Sequence, residues 1–118
     1  MAITVLPVTP GFVAEITDVD LARPLAPDDH AAVMQAFADY AVLVFPGQEL
    51  APADNIRFAE LFGPIEDNVL AYSPDAQLRF DPRLVEISNL TVENAIWDAD
   101  DRKRALNAGN QLWHTDSS

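Results

Sequence analysis

The 118-residue chain contains no cysteine, which excludes disulfides, thiolate metal sites and cysteine nucleophiles. That absence fits a reducing compartment. Cations are scarce: seven Lys and Arg stand against nineteen Asp and Glu, for a formal net charge of −12. Lys103 is the only lysine. Nucleic-acid binding and attachment to an anionic membrane both need clustered positive charge, so the composition argues against both. The four glycines are scattered, and no Gly-rich phosphate loop is present. No apolar run approaches the length of a membrane span. Met1-Ala2-Ile3-Thr4-Val5 lacks the basic and apolar regions of a signal peptide. The expectation is a cytoplasmic protein with neither nucleic acid nor membrane as partner.

With 49% hydrophobic residues, the chain has material for one domain with a core and not for two. Ile3 to Val8 is β-branched and apolar and reads as a short strand, with Pro7 confining it to an edge or ending it. Thr9-Pro10-Gly11 is turn chemistry, and Phe12 to Thr17 reads as a second strand, so the pair predicts a hairpin. Pro24 and Pro27 stop any helix in the polar stretch that follows. Asp28 or Asp29 is the expected cap of a helix whose inner face is Val33, Ala36, Phe37 and Tyr40. His30, in its first turn, reads as an exposed surface histidine.

Ala41-Val42-Leu43-Val44-Phe45, closed by Pro46-Gly47, reads as a strand buried on both faces. Pro52 and Asp54 open a second helix, with Ile56, Phe58, Ala59, Leu61 and Phe62 inward and Gly63-Pro64 at its end. Ile65 to Pro82 reads as a long loop, with Val69, Leu70 and Tyr72 covering something. Leu84 to Ser88 is a further expected strand, and Asn89 to Ala108 a solvated, partly helical excursion. The order of elements is mixed, an α+β architecture.

The chemistry concentrates in Gly109-Asn110-Gln111-Leu112-Trp113-His114-Thr115-Asp116-Ser117-Ser118. In extended backbone, residues i and i+2 project to one side, so His114 and Asp116 can share an ion. One His and one carboxylate are two thirds of the two-His-one-carboxylate facial triad of non-haem iron(II). A third ligand has to come from elsewhere, and His30 does not obviously supply it. Spacing alone leaves two other readings: a hydrogen-bonded surface His–Asp pair, and a Ser-His-Asp triad with Ser117 or Ser118 as nucleophile. Adjacent positions rarely reach the geometry of that triad.

Five stretches together resemble the taurine dioxygenase / 2,4-dichlorophenoxyacetate dioxygenase family. They are Ala14-Glu15-Ile16-Thr17-Asp18-Val19-Asp20-Leu21, then Ala41 to Gln48 (the family's "VLVFRGQ" strand and turn), then Phe58 to Glu66 (its "FARRFGPLE" helix end), then Glu86-Ile87-Ser88-Asn89-Leu90, and finally Asn110 to Ser118. They lie in the family's order and cover nearly the whole chain; the wording of the last is similar to the phenoxyacetate dioxygenase subgroup.

The resemblance implies a double-stranded β-helix, or jelly roll, with flanking helices, and an iron(II)- and 2-oxoglutarate-dependent dioxygenase. It implies His114 and Asp116 as iron ligands and Asn110 beside the substrate. It places the second histidine ligand and the arginine that pairs with 2-oxoglutarate downstream of Ser118. Residues 1–118 are then the N-terminal part of a single oxygenase domain, truncated just after the His-X-Asp motif. The implied reaction is hydroxylation of a carbon beside a heteroatom in a small anionic substrate, with O2 consumed and succinate and CO2 as coproducts.

Cleavage of an aryloxyalkanoate ether is favoured; a taurine or alkyl-sulfate substrate is the alternative. Ala71 and Ala95 stand where a substrate-binding lysine is expected, which leaves Arg79, Arg83 or the downstream part to meet the anion. Trp113 is expected to pack against the site. Homo-oligomers are common in the family. The rival class is a non-catalytic acidic α/β interaction domain with an incidental His-X-Asp.

Overall fold

The β-branched runs on either side of Thr9-Pro10-Gly11 form the expected hairpin. In the computed structural model, β1 (Thr4–Thr9) and β2 (Val13–Thr17) pair antiparallel, with Val5 opposite Ile16 and Leu6 opposite Glu15. Gly11 supplies the left-handed turn conformation at φ 66°. The register slips between Pro7 and Thr9, where proline has no N–H to give the ladder. The structure describes residues 2–66, 72, 74 and 78–114, excepting the side chains of Lys103, Leu106, Asn107 and Asn110. The chain divides into two units, Met1–Glu66 and Asp67–Ser118.

In the first unit β3 (Val42–Val44) pairs parallel to β2, giving the sheet order β1-β2-β3. Parallel neighbours need a crossover, and helix α1 (Pro27–Asp39) lies within it. Pro27 therefore starts α1 instead of stopping it. Its fixed φ and missing N–H suit the first helical position. The N-cap is Ala26, with no side-chain cap. Asp28 and Asp29 lie in the first turn, where the helix dipole favours them. Asp29 Oδ1 also accepts from the Ile3 N–H at 3.3 Å.

Val33 and Ala36 are buried as expected, whereas Phe37 remains 53% exposed. His30 is half-buried and its Nε2 is buried, contrary to the surface reading. The expected doubly buried strand is also corrected: Val42 and Val44 are exposed, and the strand lies at a sheet edge.

Helix α2 (Pro52–Glu60) has Pro52 in its opening turn, and Asp54 Oδ2 accepts from the Ala51 N–H at 3.2 Å. Ile56 is its buried residue; Ala59, expected inward, is exposed, and Leu61 and Phe62 follow the helix. Edge-to-face contacts run from Phe37 to Phe62 (5.1 Å), Phe62 to Phe58 (5.3 Å) and Phe58 to Phe45 (5.3 Å). They join α1, α2 and the end of β3, each adding to the area it buries. The core is Ala14, Ile16, Leu21, Val33, Ala36 and Ile56.

Two of the sequence motifs meet in a polar clamp. Gln48 Oε1 accepts from the Leu21 N–H at 2.9 Å, and Gln48 Nε2 donates to the Val19 carbonyl at 3.0 Å. Arg57 donates to the Leu21 carbonyl at 3.1 Å and holds Asp54 at 2.7 Å. The clamp fixes the turn after β2 and seats the buried Leu21. Gln48→Ala leaves the Val19 and Leu21 backbone groups without these partners and is expected to cost about 1–3 kcal/mol. Urea unfolding followed by far-UV circular dichroism measures it; an unchanged midpoint would remove the clamp from the account of stability.

In the second unit, no described residue is buried. Leu84 to Ser88 is not a paired strand there among the described residues, although exposure alternates along it, with Val85 and Ile87 outward. A strand needs a ladder partner, which no local pattern supplies. Glu86 instead accepts from Arg79 at 2.5 Å and from the Ser88 hydroxyl at 2.7 Å, and Arg79 also donates to Asn94 Oδ1. Asn94, at φ 64°, turns the chain inside the isolated bridge between Leu90 and Ile96. Helix α3 (Arg102–Ala108) bears out the partly helical excursion. Of the segment expected to cover something, Val69 and Leu70 lie outside the described residues, as does Ala71; Tyr72 is exposed.

Arg83 grips Asp81 through its side chain at 2.9 Å and its backbone N–H at 2.9 Å. Those hydrogen bonds hold the Asp81 carboxyl below its ordinary 3.8, at about 2. A depressed acid stabilises above its unfolded value, and that contribution is lost as pH falls from about 4 through about 2. In a carboxyl-resolved NMR titration Asp81 is expected to titrate near 2, and Arg83→Ala to return it to the ordinary range. An unchanged midpoint in Arg83→Ala would contradict this.

Candidate metal centre

The approach to the histidine is built by backbone. After α3 the chain tightens into a 3-10 turn over Gly109–Gln111, closed by the Leu112 N–H donating to the Gly109 carbonyl at 3.0 Å. Leu112 is then extended, at φ −93° and ψ 148°. Asn110 sits in the middle of that turn, but its side chain is outside the described residues.

His114 is exposed, and its Nδ1 lies 2.7 Å from the Leu112 carbonyl oxygen. A carbonyl can only accept, so Nδ1 carries a proton, and in the neutral imidazole the lone pair is then on Nε2. That is the tautomer and orientation in which a histidine ligates through Nε2 while its other nitrogen is anchored. Nothing in the sequence pattern signalled this bond, because its acceptor is backbone. His114 shares an open depression of about 400 Å³ with Gln111, Leu112 and Trp113.

The other predicted donors are less fully placed. Asp116, Ser117 and Ser118 lie outside the described residues. Among the described residues no three His, Cys, Asp or Glu side chains come together. The donor chemistry of His114 fits iron(II) or a similar divalent ion as one ligand of a set. Trp113, expected to pack, is fully exposed at 105%. Ala95 is exposed too, with no cationic side chain of its own.

Both candidate arginines for an anionic substrate are already engaged. Arg79 is held by Glu86 and Asn94, with Phe80 5.5 Å beneath its guanidinium, and Arg83 is held by Asp81. A substrate anion at either guanidinium would share it with these partners. Among the described residues, no helix is long and apolar enough to cross a membrane.

The chain is 32% identical, over all of its length, to the alpha-ketoglutarate-dependent 2,4-dichlorophenoxyacetate dioxygenase of Cupriavidus pinatubonensis, 41% of which is covered. It is 36% identical to the (S)-phenoxypropionate/alpha-ketoglutarate-dioxygenase of Sphingobium herbicidovorans, covering 99% of this chain and 36% of that protein. Among solved structures, AAD-2 in complex with Mn(II) and N-oxalylglycine superposes with a TM-score of 0.87 at 34% identity, covering 100% of this chain and 41% of that one. The chain thus spans about two fifths of the relatives it matches. Residues 4–118 match the family model "Taurine catabolism dioxygenase TauD, TfdA family", and the chain belongs to that family.

Proposed function

We propose that residues 1–118 are the N-terminal part of a single oxygenase domain with a jelly-roll fold. The intact protein is read as an iron(II)- and 2-oxoglutarate-dependent dioxygenase acting on small anionic aryloxyalkanoates. The observation that carries this reading is His114, anchored through Nδ1 to the Leu112 carbonyl, inside the motif it shares with Asp116. The names of the curated relatives support the cofactors and the substrate class. The Mn(II) and N-oxalylglycine of the AAD-2 complex support the pairing of a divalent ion with a 2-oxoacid.

In this reading His114 Nε2 and the Asp116 carboxylate hold the iron, with a further ligand from the rest of the domain, and Asn110 lies beside the substrate. Bound iron(II) with 2-oxoglutarate supplies oxidising power from O2, giving succinate and CO2 as the substrate carbon beside the ether oxygen is hydroxylated. The chain's share is to fix the imidazole and to present the turn that leads to it. It does not supply the substrate's counter-charge from Arg79 or Arg83, which are committed elsewhere. A cation from the rest of the domain does so.

The experiment is succinate formation by the full-length protein with 2,4-dichlorophenoxyacetate, phenoxypropionate, taurine and an alkyl sulfate in parallel. Turnover with the aryloxyalkanoates supports the reading. Turnover confined to the sulfur substrates moves the protein to the other branch of the family, and no turnover with any substrate, with no iron bound, supports a non-catalytic domain. For the 118-residue chain alone, an anaerobic iron(II) titration with 2-oxoglutarate is expected to show no visible charge-transfer band.

A further inference from the structure

The three-stranded sheet has two unlike faces. One carries Ala14 and Ile16, both fully buried, in register with Leu43 and Val5. On the other, Glu15 lies between Leu6 and Val44, and Val13 lies beside Val42. Side chains at paired positions share a face, and positions i and i+2 of a strand do too. These five residues therefore form one continuous surface. Leu6, Val42 and Val44 on it are 46%, 43% and 42% exposed. Its middle is apolar apart from the Glu15 carboxylate, while Thr4 and Thr17 at one end and Thr9 at the other share the face as a polar rim.

A sheet with one face in a core tolerates water on the other only when that face is polar. The middle of this one is not, where Leu6, Val13, Val42 and Val44 surround Glu15, and β3 is three residues long with no further strand at its outer edge among the described residues. An apolar face rimmed by polar residues marks an interaction surface. The chain covers 41% of the AAD-2 chain at a TM-score of 0.87, so most of such a protein lies outside the matched stretch.

We infer that this face is an intramolecular docking surface, buried by the part of the intact domain outside residues 1–118. That part brings a hydrogen-bonding cation, an arginine or lysine, to the Glu15 carboxylate. The inference rests on the proposal that the chain is part of a larger oxygenase domain. A second copy is the poorer occupant for two reasons. A two-fold pairing of these faces sets Glu15 against its own mate across the axis. Two chains of net charge −12 also repel. A buried carboxylate without a counter-charge is costly, so an occupant that covers Glu15 has to satisfy it.

The test uses the full-length protein with any other cysteine changed to serine, because residues 1–118 contribute none. Val42→Cys and Val44→Cys are made singly, with Ala31→Cys on the exposed side of α1 as the reference. Thiol modification is timed in native and in denatured protein. At positions 42 and 44 the native protein is expected to react about 100-fold more slowly than the denatured one, with little change at 31. Glu15→Lys is expected to lower the thermal midpoint by several degrees and Glu15→Gln by much less.

Reaction at 42 and 44 as fast as at 31 overturns the inference. Protection that fades on dilution, with a dimer in sedimentation, overturns it in favour of a second copy. Glu15→Lys as stable as wild type overturns the counter-charge. Succinate formation by the unmodified protein is recorded alongside. Its absence with the face still protected rejects the oxygenase reading alone, and turnover with an accessible face rejects this inference alone.

Discussion

His114→Ala is expected to lower the iron affinity of the full-length protein by more than about 100-fold. Removing a group that merely orients a metal ligand already costs 10–100-fold, and His114 is proposed as the ligand itself. Compared in metal-free protein, the same substitution is expected to leave the thermal midpoint within about a degree of wild type. His114 is exposed, and among the described residues the buried apolar ones all lie in Met1–Glu66, so truncating it is expected to remove no core contact and open no cavity.

The split between the two readouts is what makes the result informative. Iron binding by anaerobic equilibrium dialysis and unfolding by circular dichroism are measured on the same preparation. Retained affinity with a retained fold excludes His114 as a ligand. His114→Gln separates charge-neutral donors from imidazole: its amide oxygen can reach a cation but cannot reproduce a ring held through Nδ1 by the Leu112 carbonyl. It is expected to bind far more weakly than wild type.

What could be read from the sequence follows the range of each signal. The hairpin was legible because β-branched runs flank Thr9-Pro10-Gly11, and turn chemistry acts within four residues. The second helix was legible from Pro52 and Asp54, both local in effect. The first lies where its periodicity predicts but starts earlier, because Pro27, which reads as a breaker, occupies the first turn where proline starts a helix.

The failures share one cause, which is that burial and pairing are not local. Val42-Leu43-Val44 has the composition of a central strand, yet it lies at an edge with two valines exposed. Leu84 to Ser88 has strand alternation without a ladder among the described residues. The partners that Arg79 and Arg83 find at Glu86, Asn94 and Asp81 were equally illegible, since no local pattern announces them. At the candidate site, the motif named His114, but the Nδ1 bond that would leave Nε2 for ligation depends on a backbone oxygen that no residue pattern encodes.

Ile16→Ala is expected to destabilise the first unit by about 2–5 kcal/mol, the usual range for truncating a fully buried isoleucine. Ile16 is 0% exposed and lies opposite Val5 in the middle of the sheet. A whole domain is stable by only about 5–15 kcal/mol, so one substitution here takes a large share. The matching change at Ile87, 71% exposed in the second unit, is expected to stay within about 0.5 kcal/mol.

The choice of probe decides whether this contrast is seen. Both tryptophans, Trp97 and Trp113, lie in Asp67–Ser118, so indole fluorescence reports the unit without the core. Hydrogen exchange reports each amide separately: those of β2 and α1 are expected to exchange slowest, and Ile16→Ala to accelerate them together, as one cooperative unit. Acceleration confined to the neighbours of residue 16 would mean that the six buried residues do not act as a single core.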